Sequence, residues 1–316
     1  MSIGKITDRI DAITGIDKER RAATPPCPKS VKIELTARCN FKCSFCATAD
    51  KLREKGDMDW DFYLKLLKDL RQSGIEEVGM FYLGESMILD WLPDAIKAAK
   101  DEGFPYVFIT TNGSLSTPDK VKACMDAGLD SMKFSLNYAD ERQFADIAGV
   151  KASIFPAIIE NIKAAVDVRN EGNYDCGLYA SYINYDGEQG ERMKKVVAEL
   201  EPILDQVYSL PLYSQADLVS VDGTDRGWAI RGGNPGRADN MREPVPCWSL
   251  FTEARVTHDG HLSACCFDHD GRFHAGDLKE QPFMEAWHSQ MFQDLRQAHL
   301  NGDVRDTVCS SCVSYG

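Results

Sequence analysis

Three cysteines, Cys39, Cys43 and Cys46, form a C-x3-C-x2-C arrangement inside the segment TARCNFKCSFC. Thiolates are ligands of iron-sulfur clusters and of zinc. Three of them on one short loop leave the fourth iron of a cluster without a protein ligand, and an open iron can bind a small molecule. A zinc site completed by a fourth ligand from elsewhere is the alternative, and the spacing alone leaves it open. Five more cysteines, Cys247, Cys265, Cys266, Cys309 and Cys312, fall within the last 70 residues and can supply four thiolates with one to spare. Cys309 and Cys312 make a C-x2-C pair, and Gly260 precedes Cys265 at a G-x4-C spacing. A four-cysteine zinc knuckle is compatible with this second set. The chain has 11 cysteines, an odd count, and its start, MSIGKITDRIDAITGIDKERR, lacks the apolar run of an export signal. Metal sites or catalysis are therefore expected before disulfides, in a reducing, cytoplasmic setting.

Such thiols need a scaffold that presents loops in one place. From Ser30 to about Tyr213, β-branched and aromatic runs alternate with amphipathic helical stretches, the pattern of βα units around a parallel sheet. The expected strands are Val31 to Leu35, Val78 to Leu83, Tyr106 to Thr110, Ser131 to Leu136, Leu178 to Ile183 and Gln206 to Tyr213. Between the first two, Trp60, Tyr63, Leu64, Leu67 and Leu70 recur at helical spacing, with Asp59 as N-cap and Gly74 as the stop. Gly103 and Gly128 end the next two helices. Right-handed crossovers curl six such units into a barrel or open barrel, with functional loops at the strand C-terminal ends. The first cysteine loop follows the first strand. Residues 220–243 are rich in Gly, Asp, Asn and Arg and read as a loop or linker. The expected organisation is an N-terminal extension (1–29), a barrel (30–215), a linker (216–246) and a small cysteine-bearing domain (247–316). That last part carries a strand-like pair around Asp259 and Gly260 and a helix from about Met284 to His299.

The cysteine loop behind a strand, with βα units after it, resembles the radical S-adenosylmethionine (SAM) superfamily. The resemblance covers about residues 30 to 213. It implies a partial (β/α)6 barrel of the α/β class, a four-iron cluster on Cys39, Cys43 and Cys46, and SAM chelated to the open iron. Phe45 matches the aromatic that the family places against the adenine. YLGESM follows strand two where the family commonly has Gly-Gly-Glu, so Gly84 and Glu85 match and Leu83 does not. Asn112, in TTNG after strand three, and Ser135 and Asn137, in SLN at the end of strand four, fall where the family lines its SAM pocket. Without the resemblance, Asn112-Gly113 is a turn and Ser135 an ordinary strand residue.

The second cysteine set resembles twitch, a shortened relative of the SPASM auxiliary-cluster domain. The resemblance implies a second four-iron cluster on Cys247, Cys265, Cys309 and Cys312, and leaves Cys266 unassigned. Full SPASM domains continue past the C-x2-C with further cysteines, whereas this chain stops at Gly316. A third cluster is not expected unless Cys27, Cys124, Cys176 or a histidine contributes. Cys124 reads as a small buried hydrophobe, Cys176 as core or cavity wall, and Cys27 in TPPCP as incidental. All six histidines lie between His258 and His299, with His258 and His269 expected nearest the second set.

The resemblance further implies reductive cleavage of SAM to an adenosyl radical, which removes hydrogen from a C-H bond of the substrate. A flavodoxin- or ferredoxin-type reductant supplies the electron. Two-electron oxidation of a sugar-like or aminocyclitol substrate is the leading expectation. Epimerisation of a sugar or aminoglycoside, with Cys266 returning hydrogen, is the second. Peptide modification is a third, although no room for a peptide-recognition domain precedes Ser30. An electron-transfer scaffold without turnover is the non-enzyme alternative. A net charge of -13 and the absence of a run of roughly 20 apolar residues exclude nucleic acid and membrane as expected partners. The same charge favours a cationic or neutral small-molecule substrate.

Overall fold

Ile6, Ile10 and Ile13 recur at helical spacing and form the apolar face of α1 (Ile6–Thr14), a helix within the segment expected to be only an extension. The computed structural model describes residues 4–50, 52–219, 229–230, 236–243, 245–310 and 312. Parts of the expected linker, 220–228, 231–235 and 244, lie outside them.

Strand β1 (Ser30–Ile33) starts the sheet. Asp59 then caps α2 (Trp60–Ser73) by accepting the Phe62 N–H at 2.9 Å, and Gly74, at φ 102°, ends it in the left-handed conformation that glycine adopts without strain. The buried face of α2 is Phe62, Tyr63, Leu66, Leu67 and Leu70, while Trp60 and Leu64 point outward. Strand β2 (Glu77–Gly79) is shorter than the run Val78 to Leu83 because the chain turns away after Met80, whose N–H reaches the Phe108 carbonyl. There follow α3 (Leu92–Asp101), β3 (Tyr106–Thr111), α4 (Pro118–Asp126), β4 (Ser131–Ser135), α5 (Glu141–Ala148), α6 (Phe155–Gly172), β5 (Gly177–Ile183), α7 (Gly187–Leu200) and β6 (Gln206–Leu210). Two helices, not one, follow β4. Pro211 ends β6, since proline has no N–H to donate, and the expected strand to Tyr213 resumes as β7 (Leu212–Tyr213) beside β8 (Ala229–Ile230).

After the ribbon of β9 (Gly236–Arg237) and β10 (Asn240–Met241), the cysteine-bearing region adds β11 (Glu253–Val256), β12 (His261–Ser263) and β13 (His274–Asp277). These join the barrel sheet. Its order is β13-β12-β11-β1-β2-β3-β4-β5-β6, parallel from β11 through β6 and antiparallel across β11, β12 and β13. The single C-terminal helix expected is two, α8 (Phe283–Trp287) and α9 (Gln290–Leu300), broken at His288 and Ser289. Among the described residues no helix is long and apolar enough to cross a membrane.

In β1 and β4 the alternate residues facing the helices, Val31 and Ile33 or Met132 and Phe134, are apolar and buried. Burying a side chain of this size contributes about 1.5–3 kcal/mol. The opposite face, with Lys32 and Lys133, looks into the barrel, and α1 residues Ile6, Arg9, Ile10 and Ile13 line the same cavity.

Candidate functional site

The loop after β1 carries Cys39, Cys43 and Cys46, and the fold brackets it from several sides. Burial, with smaller contributions from the neighbouring thiols of the set, pushes the Cys39 and Cys43 thiols up to about 12. A group of thiols that oppose one another's ionisation is stable as thiolates only beside positive charge, which a metal cluster supplies. Tyr138 Oη lies 3.0 Å from Cys43 Sγ. Lys55 interacts electrostatically with Cys46 and Cys39. Donor and cation thus stand beside the thiols, and the residues fit a cluster. Among the described residues no three His, Cys, Asp or Glu side chains converge as ligands of a single ion.

Gln215 grips the same loop. Its Nε2 donates to the Phe45 carbonyl at 2.8 Å, and its Oε1 accepts the Ala47 N–H at 3.0 Å. Gln215, Ala216 and Asp217 all have positive φ, between 51° and 68°. Nothing in the sequence flags this clamp, since no glycine marks the turn.

The segment after β2 ties the parts together. Tyr82 donates its hydroxyl to the Cys265 carbonyl, joining the barrel to the second cysteine region. Gly84 lies flat on the cysteine loop, where a Cβ would stand 2.1 Å from the Thr36 carbonyl oxygen. Glu85 N–H then donates to the Arg38 carbonyl at 2.9 Å. The Glu85 carboxylate accepts the Asn112 N–H (2.7 Å), the Thr111 hydroxyl (2.9 Å) and the Met87 N–H (3.0 Å). Burial nevertheless holds its pKa above the ordinary value. Asn112 Nδ2 reaches back to Asn40 Oδ1 at 2.9 Å, so the ends of β2 and β3 are locked to the loop between Cys39 and Cys43. Ser135 ends β4 and is half-buried, as is Asn137, whose carbonyl accepts the Tyr185 hydroxyl at 2.8 Å.

Cys247, Cys265, Cys266, Cys309 and Cys312 line one common cavity. Burial, then Cys247 and Cys312, push the Cys309 thiol up to about 12. The Cys265 thiol is raised by its hydrogen bond with Cys266 and by burial. Cys266 and Phe267 also line a second cavity of about 310 Å³ inside the barrel. The two cavities therefore share a wall.

The sequence profile described as Radical SAM superfamily matches residues 33–198, more than half the chain. The chain belongs to the radical SAM superfamily. Membership brings SAM and a four-iron cluster, and a second profile, the iron-sulfur cluster-binding SPASM domain, matches residues 247–313 and brings another. A tungsten-containing aldehyde ferredoxin oxidoreductase cofactor-modifying protein of Pyrococcus furiosus is 31% identical over 146 residues. That match covers 45% of this chain, and the chain spans only 40% of that relative's length. A GTP 3',8-cyclase of Synechococcus is 25% identical over 299 residues, 83% of this chain and 84% of its own. Among solved structures, BtrN in complex with AdoMet and 2-DOIA superposes with a TM-score of 0.58 at 16% identity, covering 90% of this chain and 91% of its own. SuiB of Streptococcus suis, bound to precursor peptide SuiA, gives 0.66 at 13% identity, covering 86% and 67%. At these identities the structures show a common fold.

Within this radical SAM fold the histidines sit differently from expectation. His299, read as an ordinary helix residue, lines the cysteine cavity and accepts the Cys247 N–H at 3.1 Å. His258 instead pairs with fully buried Glu34 at 3.2 Å, alongside Arg53, and His269 bonds Thr48 just past the first cysteine loop at 3.1 Å. Both brace the barrel mouth. Cys124 and Cys176 are buried core residues, and Cys27 is half-buried with its carbonyl held by Arg20. None of these three lines the cysteine cavity.

Proposed function

We propose that this radical SAM enzyme oxidises a small polar molecule by two electrons inside the barrel. Cys39, Cys43 and Cys46 hold the SAM-binding cluster, and Phe45, Gly84, Glu85, Asn112, Ser135 and Asn137 shape the SAM pocket. Cys247, Cys265, Cys309 and Cys312 hold the auxiliary cluster. When bound, SAM and its cluster, with one electron from a flavodoxin- or ferredoxin-type reductant, supply an adenosyl radical able to take hydrogen from a C-H bond. The observation that carries the reading is the shared wall of Cys266 and Phe267 between the cysteine cavity and the barrel cavity, which supports electron transfer from substrate to an auxiliary cluster. A cavity of about 310 Å³ has the size of a small-molecule site, which favours a sugar-like or aminocyclitol substrate over a peptide.

Single Ala replacements at Cys247, Cys265, Cys309 and Cys312 are expected to lose the auxiliary iron, while Cys266→Ala keeps about eight irons per chain. Iron analysis of reconstituted protein checks this. Equal iron loss from Cys266→Ala and retention by Cys265→Ala would move the ligand by one position.

A second reading, epimerisation, draws on Cys266 facing the barrel cavity, where its thiol can return hydrogen to a substrate radical. Incubation in heavy water with candidate sugars, aminocyclitols and, given the cyclase relative, GTP separates the outcomes by product mass. A ketone two mass units lighter than the substrate supports oxidation, and an isomer carrying one deuterium supports epimerisation. In the oxidation case Cys266→Ala leaves product formation largely intact. In the epimerisation case it still consumes SAM and yields little inverted product.

A further inference from the structure

The wall of the barrel cavity carries more positive charge than negative, against the acidic balance of the whole chain. Arg9, Lys32, Lys133 and Arg237 line it, with Glu253 as the carboxylate facing them. Three of the cations are matched. Arg9 pairs with Glu77, Lys32 with Glu253 at 2.9 Å, and Arg237 with Asp11 at 2.9 Å and with Asp239. Glu253 is shared in turn with Arg255 at 2.6 Å. Lys133 differs. Among the described residues it has no carboxylate partner, and its hydrogen bond to Tyr208 Oη is long, at 3.4 Å.

An ammonium group largely withdrawn from solvent without a carboxylate in ion-pair contact is costly, and such groups are normally paired or bound to a ligand. The side chain points into a cavity large enough for a ligand, on the strand that ends at Ser135. Residues two apart on a strand share a face, so Lys133 stands roughly 6.6 Å below Ser135 on the barrel interior. Arg9 on α1, Tyr208 on β6 and Glu253 on β11 act on it directly, and Lys32 on β1, Arg237 on β9, Tyr213 on β7 and Cys266 line the same cavity. Burial and then Arg9 bring its pKa down to about 8, with Glu253 opposing, so it is protonated at neutral pH and loses charge just above.

Resting on the reading that the substrate occupies the barrel cavity, we propose that Lys133 binds an anionic group of that substrate, a phosphate ester or a carboxylate, one layer below the SAM-binding residues. The substrate is then a phosphorylated or acidic polyol rather than an amine. The chain as a whole has a net charge of -13, yet among the described residues Glu253 is the one carboxylate in the cavity lining.

The test uses reconstituted holoenzyme saturated with SAM and calorimetric titration with inorganic sulfate, a tetrahedral dianion whose charge is constant near pH 8, and with acetate. Wild type is expected to bind at least one of them, tighter sulfate pointing to a phosphate ester and tighter acetate to a carboxylate. Lys133→Met should weaken that binding by about tenfold or more, and Lys133→Arg should keep it within about threefold. Wild-type affinity should fall as pH is raised through about 8. Iron content and melting temperature confirm that each variant is folded; if Lys133→Met is not, Lys133→Gln takes its place. No anion binding with SAM bound, or unchanged binding in a folded Lys133→Met, overturns the proposal. Unchanged binding together with lost product formation would assign Lys133 to proton transfer instead. Deoxyadenosine production in the same preparations separates this from the proposed function. Holoenzyme that cleaves SAM but binds no anion refutes the anion site alone, and anion binding at Lys133 without SAM cleavage refutes the enzymatic reading alone.

Discussion

A variant with Cys39, Cys43 and Cys46 all changed to Ala is expected to retain about four of eight irons and to form no 5'-deoxyadenosine from SAM. The expectation follows from the separation of the two thiol sets. The first lies on the loop between β1 and α2, held by Gln215, Glu85 and Asn112. The second lines its own cavity beyond β11 and is anchored to the barrel through Tyr82. Loss of the first set leaves the second walled and supported, so iron should halve rather than vanish. Removing the open-iron site should cost all SAM cleavage, not a fraction, because a cluster with four protein ligands has no iron free for the substrate. Iron quantitation and product chromatography on the same sample give both readouts. Deoxyadenosine from the triple variant would refute the assignment of these three cysteines.

Gly84→Ala is expected to be the most damaging single-atom change in the barrel. The added methyl group would stand 2.1 Å from the Thr36 carbonyl oxygen, with the Arg38 carbonyl oxygen at 2.8 Å. Both obstacles are backbone, which cannot swing aside as a flexible side chain can. The strand end and the cysteine loop must separate, and the Glu85 N–H to Arg38 bond and the Glu85 grip on Asn112 move with them. Overpacking of this kind costs about 3 kcal/mol. A melting temperature lower by roughly 5–10 °C is expected. The first cluster should be lost preferentially, with the iron of the second retained. A Gly84→Ala protein with full iron and unchanged melting would show that the close approach is not needed.

Local signals in the sequence carried well into the structure. Asp59 and Gly74 bound α2 as read, because a cap and a left-handed stop depend on the neighbouring residues alone. Apolar runs were less reliable. Val78 to Leu83 has a strand's composition throughout, yet only its start pairs, and the rest turns to deliver Tyr82, Gly84 and Glu85 to three different partners. Composition cannot tell a paired strand from an extended loop packed in the core. For the motif residues the structure adds contacts that their positions in the sequence do not announce. Glu85 acts within the protein as a clamp on Asn112, a role that needs the three-dimensional approach of β2 and β3.

Two further features are written in the sequence. The Ile6, Ile10 and Ile13 spacing announces α1, and a lysine between apolar neighbours in VKI and MKF must face away from the helices, hence into the barrel. Gln215 and His299 have no such signal, since each acts through contacts more than 50 residues away in sequence.

The central claim is that this chain is an enzyme of the radical SAM type and not a carrier of clusters. Wild-type protein, reconstituted anaerobically and reduced with dithionite, is to be incubated with SAM, and methionine and 5'-deoxyadenosine measured by chromatography. The account predicts both products in equal amounts, dependent on the reductant. Protein holding its full iron, shown by spectroscopy to contain two four-iron clusters, that leaves SAM intact would contradict it.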